Sequence, residues 1–211
     1  MAKQTTNLRT SIYRTARRHS GKRILRPELK HFTEGEITRF MDTVQRLGNK
    51  RDITMFKTLQ YTGLRVAELQ ALNIEQVKDK QFLIIIGKGN KERTIPMPTV
   101  LRQALQEFLE WKSGTGENMR YRAPLFLNHR KKSRISTRGI QYRVEYYSHK
   151  AGLERRFSPH AFRHTLGFRL GKQGVSIRVI QKLLGHSNVN ITSIYVEPDM
   201  DQLTKAMEGN Q

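Results

Sequence analysis

Residues 81–96 read Q-F-L-I-I-I-G-K-G-N-K-E-R-T-I-P, and this stretch decides the fold class. Phe82 to Ile86 is an unbroken apolar run rich in β-branched residues. Gly87, Lys88, Gly89 and Asn90 supply turn chemistry, and Glu92 to Pro96 can pair back on the first run. The reading is a β-hairpin with Lys88 at its tip. Helical punctuation surrounds it on both sides. Upstream, Thr33 followed by Glu36 is a capping-box signature for a helix running to about Leu47. A second helix is expected over about Asp52 to Tyr61, stopping before Gly63, and a third carries Arg65 to about Leu72.

Downstream, Pro98 starts a helix to about Lys112. Its Val100, Leu101, Ala104, Leu105, Phe108 and Leu109 recur at helical spacing. Residues 113–122 read as a loop, and Leu125-Phe126-Leu127 as a short strand. Ser136 caps a helix reaching about Ala151. Ser158 and Pro159 form an N-cap with proline at the first helical position. Residues from Ser176 to Leu184 form another helix, ended by Gly185. Two further helical stretches cover about Asn188 to Tyr195 and Met200 to Glu208. The expected fold is mainly α with a small antiparallel β-sheet, an α+β arrangement.

The chain has 211 residues, with 39 Lys and Arg against 18 Asp and Glu, a formal net charge of +21. Such a balance calls for a polyanionic partner or a heavily solvated basic surface. It has no cysteine, which excludes disulfides, Cys-containing zinc sites and a cysteine nucleophile. The longest purely apolar run, Phe82 to Ile86, is far short of the ~20 residues of a membrane helix. The basic N-terminus lacks an apolar core for a secretory signal. These features lead to an expectation of a cytoplasmic protein with no membrane association.

Several scattered residues carry chemistry when taken together. Arg65 lies in T-G-L-R-V-A-E-L, Lys88 in G-K-G-N-K-E-R, His160 and Arg163 in H-A-F-R-H, His186 in L-L-G-H-S and Tyr195 in S-I-Y-V. Arg65 and Arg163 can hold a phosphate bidentately without losing charge. A tyrosine hydroxyl, with a pKa near ~10, needs a base and positive charge to act as a nucleophile. His160 is the candidate base for Tyr195. Lys88 is placed to give a proton to a leaving oxygen, and Lys91 is its rival. His186 would donate to a nonbridging oxygen or help position Tyr195. His160 and His164 are four apart, but Ala161 stands where a metalloprotease helix needs Glu. His164 therefore reads as a packed or supporting histidine. Glu197, Asp199 and Asp201 read as a solvated turn.

The set resembles the active site of the tyrosine recombinase (phage integrase) family, R-K-H-x-x-R-H-Y, over about residues 33–208. His186 follows Arg163 by 23 residues and Tyr195 follows His186 by nine, as the family's spacing requires. The family's lysine sits between glycines, which selects Lys88. Glu68 resembles its acidic residue supporting the active-site arginine and histidine. The resemblance implies the family's catalytic-domain fold and site-specific cleavage and rejoining of double-stranded DNA through a 3′-phosphotyrosyl link with a free 5′ hydroxyl. It further implies no metal, ATP or other cofactor. A homotetramer working in a synapse of two duplexes, with possible helper DNA-bending proteins, would serve integration, excision, inversion or resolution. The helix from Ser136, with Arg138, Gln141 and Arg143, resembles the family's major-groove helix. Lys91 and Arg93, flanking the hairpin turn, are further candidate DNA contacts.

The chain departs from the family in one respect. Most members carry an N-terminal core-binding bundle, and here residues 1–31 are only a basic arm or linker before a catalytic domain at 32–211. A fragment and a natural single-domain enzyme both fit. Leu203, Ala206 and Met207 form a small C-terminal apolar face that either docks into a neighbouring protomer or packs at home. Three other functions compete: type IB topoisomerase-like relaxation, a non-catalytic DNA-binding regulator, and a basic ribosomal-type protein.

Overall fold

The structure, a computed structural model, describes residues 31–87, 92–128 and 132–185. In chain order these hold α1 (Glu34–Leu47), α2 (Lys50–Thr62), α3 (Val66–Ala71), a 3₁₀ turn (Ile74–Gln76), β1 (Phe82–Ile86), β2 (Glu92–Pro96), α4 (Thr99–Gly114), α5 (Thr137–Lys150), α6 (Pro159–Lys172) and α7 (Ile177–Leu184). The architecture is mainly α with one small antiparallel sheet, as the sequence predicts.

Helix α1 opens with the expected capping box. The Glu36 N–H donates to Thr33 Oγ1 at 3.2 Å, and the Thr33 N–H donates to Glu36 Oε2 at 2.8 Å. Its Ile37, Phe40 and Val44 share a helix face and are buried. Helix α2 is the central element and packs against α1, α4 and α6. Phe40 of α1, Phe56 of α2 and Phe162 of α6 meet in the core. Phe40 lies edge-on to Phe56 at 5.1 Å, and Phe56 stacks with Phe162 at 5.8 Å. Helix α2 stops at Gly63, whose φ of 59° is left-handed. A Cβ there would stand 2.8 Å from Leu184 Cδ2, so this turn needs glycine for conformation and for space.

One buried carboxylate ties α2 to α5. Asp52 accepts from Arg51 Nε at 2.8 Å and Arg51 Nη2 at 2.6 Å, from Arg143 Nε at 2.7 Å and Arg143 Nη2, and from Tyr147 Oη at 2.9 Å. A fully buried charge is tolerable only with such complete pairing.

Strands β1 and β2 pair antiparallel, with Leu83 opposite Ile95 and Ile85 opposite Arg93. Those four side chains face inward, and Phe82, Ile84 and Ile86 face outward. Residues 88–91 of the turn lie outside the described residues, as do the stretches expected as helices after 187.

Four local expectations need correction. Helix α2 starts at Lys50 rather than Asp52, because the Asn49 side chain caps it by accepting the Asp52 N–H at 3.0 Å. Pro98 is the N-cap of α4, not its first residue. Leu125-Phe126-Leu127 forms no strand. The segment makes only isolated bridges, Asn73 with Pro124 and Leu127 with Arg134, so its backbone pairing does not extend into a ladder. Ser158 precedes α6 without a side-chain capping bond, although Pro159 does open the helix.

Candidate active site

The site is built where four chain segments meet: the α2–α3 turn, strand β2, the first half of α6, and the end of α7. After Gly63 reverses α2, Leu64 plugs into the core and Arg65 takes the N-cap position of α3. The Arg65 N–H donates to Glu68 Oε2 at 2.7 Å, and Arg65 Nη1 donates to Glu68 Oε1 at 2.9 Å. The one-turn separation of 65 and 68 makes this contact local.

Arg163 enters from α6. It is 3% exposed, and its Nη1 donates to the Gly63 carbonyl at 2.9 Å while Nη2 donates to the Leu184 carbonyl. Arg65 Nη2 donates to the next carbonyl, Gly185, at 2.7 Å. Arg93 Nε donates to the preceding one, Leu183, at 3.2 Å. Three guanidiniums therefore hold three successive carbonyls at the C-terminal end of α7. A helix C-terminus exposes unpaired carbonyls and partial negative charge, which attract cations. Gly185 has a left-handed φ of 63°, and its N–H closes the helix on Gln181 at 2.7 Å.

Glu68 sits at the centre. Beyond its bonds to Arg65, it accepts from Arg93 Nη1 at 2.9 Å and Arg93 Nη2 at 2.6 Å. Burial pushes its carboxyl up. The hydrogen bonds and charge of Arg93, with the N–H and guanidinium of Arg65, outweigh this and hold it at about 2.

His160 stands near the start of α6 at the surface, within electrostatic reach of Arg163, Arg65 and Glu68. Partial burial, then the charges of Arg163 and Arg65, lower it below its ordinary 6.5, and Glu68 opposes them. The imidazole is consequently neutral at pH 7 and able to accept a proton. His164, one turn on, is lowered to about 4 by burial and by His160, Arg163 and His31. It is a packed, neutral histidine, as expected. Among the described residues no group of three or more His, Asp or Glu is placed to hold a metal ion.

The structure thus brings Arg65, Glu68, His160 and Arg163 together, while Lys88, Lys91, His186 and Tyr195 lie outside the described residues. Two expected DNA contacts are engaged elsewhere. Arg93 faces inward on β2 and forms a fork-to-fork pair with Glu68. Strand parity could have revealed it, since Arg93 shares a face with Ile95. Arg143 is committed to Asp52, and its guanidinium lies 5.4 Å from the Tyr147 ring. Arg138 and Gln141 do project from the exposed face of α5, joined there by Tyr142.

The chain is similar to known proteins in sequence and in fold. The family model described as "Phage integrase family" matches residues 30–202. Tyrosine recombinase XerA of Thermococcus kodakarensis is 36% identical over 181 residues, covering 85% of this chain and 62% of that protein. The crystal structure of XerA recombinase superposes with a TM-score of 0.70 at 28% identity, covering 86% of this chain and 65% of that one. The catalytic domain of bacteriophage HP1 integrase shares the fold, with a TM-score of 0.61 at 20% identity, and 95% of it is covered by 84% of this chain. The chain spans under two thirds of the length of the XerA relatives it matches. From its family match, its likeness to XerA and its fold, the chain belongs to the phage integrase family of tyrosine recombinases and carries that family's catalytic-domain fold.

Proposed function

We propose that this chain supplies the catalytic domain of a site-specific DNA recombinase. The observation that carries the reading is the convergence of Arg65 and Arg163 on the end of α7, with Glu68 bracing Arg65. Two guanidiniums fixed before substrate arrives form a preorganised cradle for a phosphodiester whose charge grows in the transition state. The neutral His160 beside them supports the role of base.

In the proposed step, the Tyr195 hydroxyl attacks phosphorus and its proton passes to His160. The new bond joins Tyr195 oxygen to phosphorus, and the bond to the 5′ oxygen breaks. Lys88 protonates that oxygen. His186 donates to a nonbridging oxygen or positions Tyr195. A second 5′ hydroxyl reverses the reaction on a new strand, so no external energy source is needed. Residues 32–211 form the catalytic unit in this reading, and the basic residues 1–31 run along DNA phosphates. Arg138 and Gln141 of α5, with Lys91, contact the duplex, and four protomers act in the synapse, aided by DNA-bending proteins. The enzyme works on DNA in the cytoplasm.

Covalent capture tests this. The protein is mixed with nicked duplexes drawn from DNA flanking its own coding locus, stopped with SDS, and resolved beside Tyr195→Phe. A shifted band that requires Tyr195 is expected. Tight binding with no band would favour a regulator. Relaxation of any supercoiled plasmid regardless of site would favour topoisomerase chemistry.

A further inference from the structure

We infer that Arg93 is a positioning residue for strand cleavage, acting through Glu68 on Arg65 and through Leu183 on the end of α7, without touching DNA. This deepens the cleavage reading above and rests on it.

Four observations lead here. First, antiparallel pairing sets Arg93 opposite Ile85, on the buried face of the hairpin. Its side chain is 7% exposed and all three of its guanidinium nitrogens are bonded to Glu68 or Leu183, whereas that of Arg65 is 38% exposed. Second, Arg93 grips both oxygens of Glu68 through parallel bonds. That fork leaves Glu68 a single side-chain bond to Arg65, through Oε1 and Nη1. Without Arg93, the carboxylate is free to turn and pair bidentately with Arg65, which would quench the charge that a phosphate needs. Third, Arg93 Nε holds the Leu183 carbonyl. Fourth, Gly185 lies directly against the same side chain, since a Cβ there would stand 3.0 Å from Arg93 Cδ and 3.3 Å from Nε and Nη1. The guanidinium is thus a floor under the last residue before His186.

Arg93 also sits on the strand leading away from Lys88. One side chain therefore links the hairpin, the phosphate-binding turn and the end of α7. Side chains remote from the reacting atoms matter through alignment, and a misplacement of about 1 Å can cost about 10²-fold in rate.

The test uses the full chain in four forms: unaltered, Arg93→Met, Glu68→Gln, and both changes together. Single-turnover cleavage of the nicked duplex at saturating protein is compared with noncovalent affinity over a salt series, the latter in a Tyr195→Phe background. Arg93→Met is expected to slow cleavage about 10²-fold while affinity stays within about twofold and the salt slope is unchanged. The double variant should lose less than the product of the two single losses, since the Glu68 carboxylate is shared by both. Arg93→Lys keeps the charge but not the fork, and should recover less than about tenfold of the loss. A weaker complex with a shallower salt slope would make Arg93 a phosphate contact and overturn the inference, as would multiplicative losses in the double variant.

Amide exchange over residues 177–185 provides a readout independent of activity. Faster exchange there in Arg93→Met, with α1 and α2 unchanged, is expected, and unchanged exchange would overturn the inference. If the unaltered chain cleaves no DNA, the cleavage reading fails on its own, and exchange alone decides whether Arg93 positions α7.

Discussion

Replacing Glu68 by Gln keeps the side-chain shape and removes the charge at the centre of the site. In the folded chain that carboxyl lies at about 2 against an ordinary 4.5, because Arg93 and Arg65 overcome the cost of burying it. A carboxyl depressed by folding stabilises the fold wherever the unfolded chain has it ionised. The contribution is complete above pH 4.5 and drains away as pH falls toward 2. Each pH unit is worth about 1.36 kcal/mol, so the full effect at pH 7 is about 3 kcal/mol. At pH 3.5 about 1.4 kcal/mol of it is gone. Glu68 is shielded enough that solvent screening does not erase this. The assay is urea denaturation of both proteins at pH 7 and pH 3.5. Glu34 is lowered by its bond to Arg169. Glu36 is lowered as well, since Arg155 and Thr33 outweigh its burial. Both titrate in each protein, so their effect cancels in the difference. The expected result is a gap of about 3 kcal/mol at pH 7 that narrows by about 1.4 kcal/mol at pH 3.5. A gap below about 1 kcal/mol at pH 7, or one that fails to narrow, would refute the reasoning.

Three further outcomes are expected. Asp52→Ala leaves the buried Arg51 and the partly buried Arg143 without their carboxylate and should cost about 3–5 kcal/mol by urea denaturation; a loss under about 1 kcal/mol would show that the node is dispensable. Gly63→Ala forces a left-handed φ on alanine and drives a methyl into Leu184, so it should cost about 1–3 kcal/mol. Gly174→Ala, also left-handed but with open space, should cost less, and equal losses would contradict the packing argument. The lowered His160 stays neutral to pH values below 6.5, so the acid limb of the cleavage pH profile should lie below that value, and a limb above it would remove His160 as the base.

What could be read from the chain, and what could not, follows from the range of each interaction. The α1 capping box, the Gly63 and Gly185 helix ends and the hairpin are local, and all stand where residue type put them. The Arg65–Glu68 contact is likewise within one helical turn. The partners that give the arginines their geometry are distant: Gly185 is 120 positions from Arg65, and Gly63 is 100 from Arg163. No spacing rule reaches that far. The carboxylate partners of Arg93 and Arg143 are hidden from the sequence for a related reason. In so basic a chain an arginine looks solvated by default, and only the face it occupies shows that it has a buried carboxylate to satisfy. Leu125 to Leu127 has strand composition, but a strand also needs a neighbour running alongside.

Helix α2 has a further consequence. Asp52, near its first turn, is bolted to α5, and its last residue leads directly into the turn that presents Arg65. The helix is thus a ruler about 15 Å long between α5 and Arg65. If α5 reads a groove, the length of α2 sets which phosphate is cut relative to the bases read. Inserting one residue would turn Arg65 by about 100° and advance it about 1.5 Å, so the offset between α5 and Arg65 is held by helix geometry rather than by any single contact.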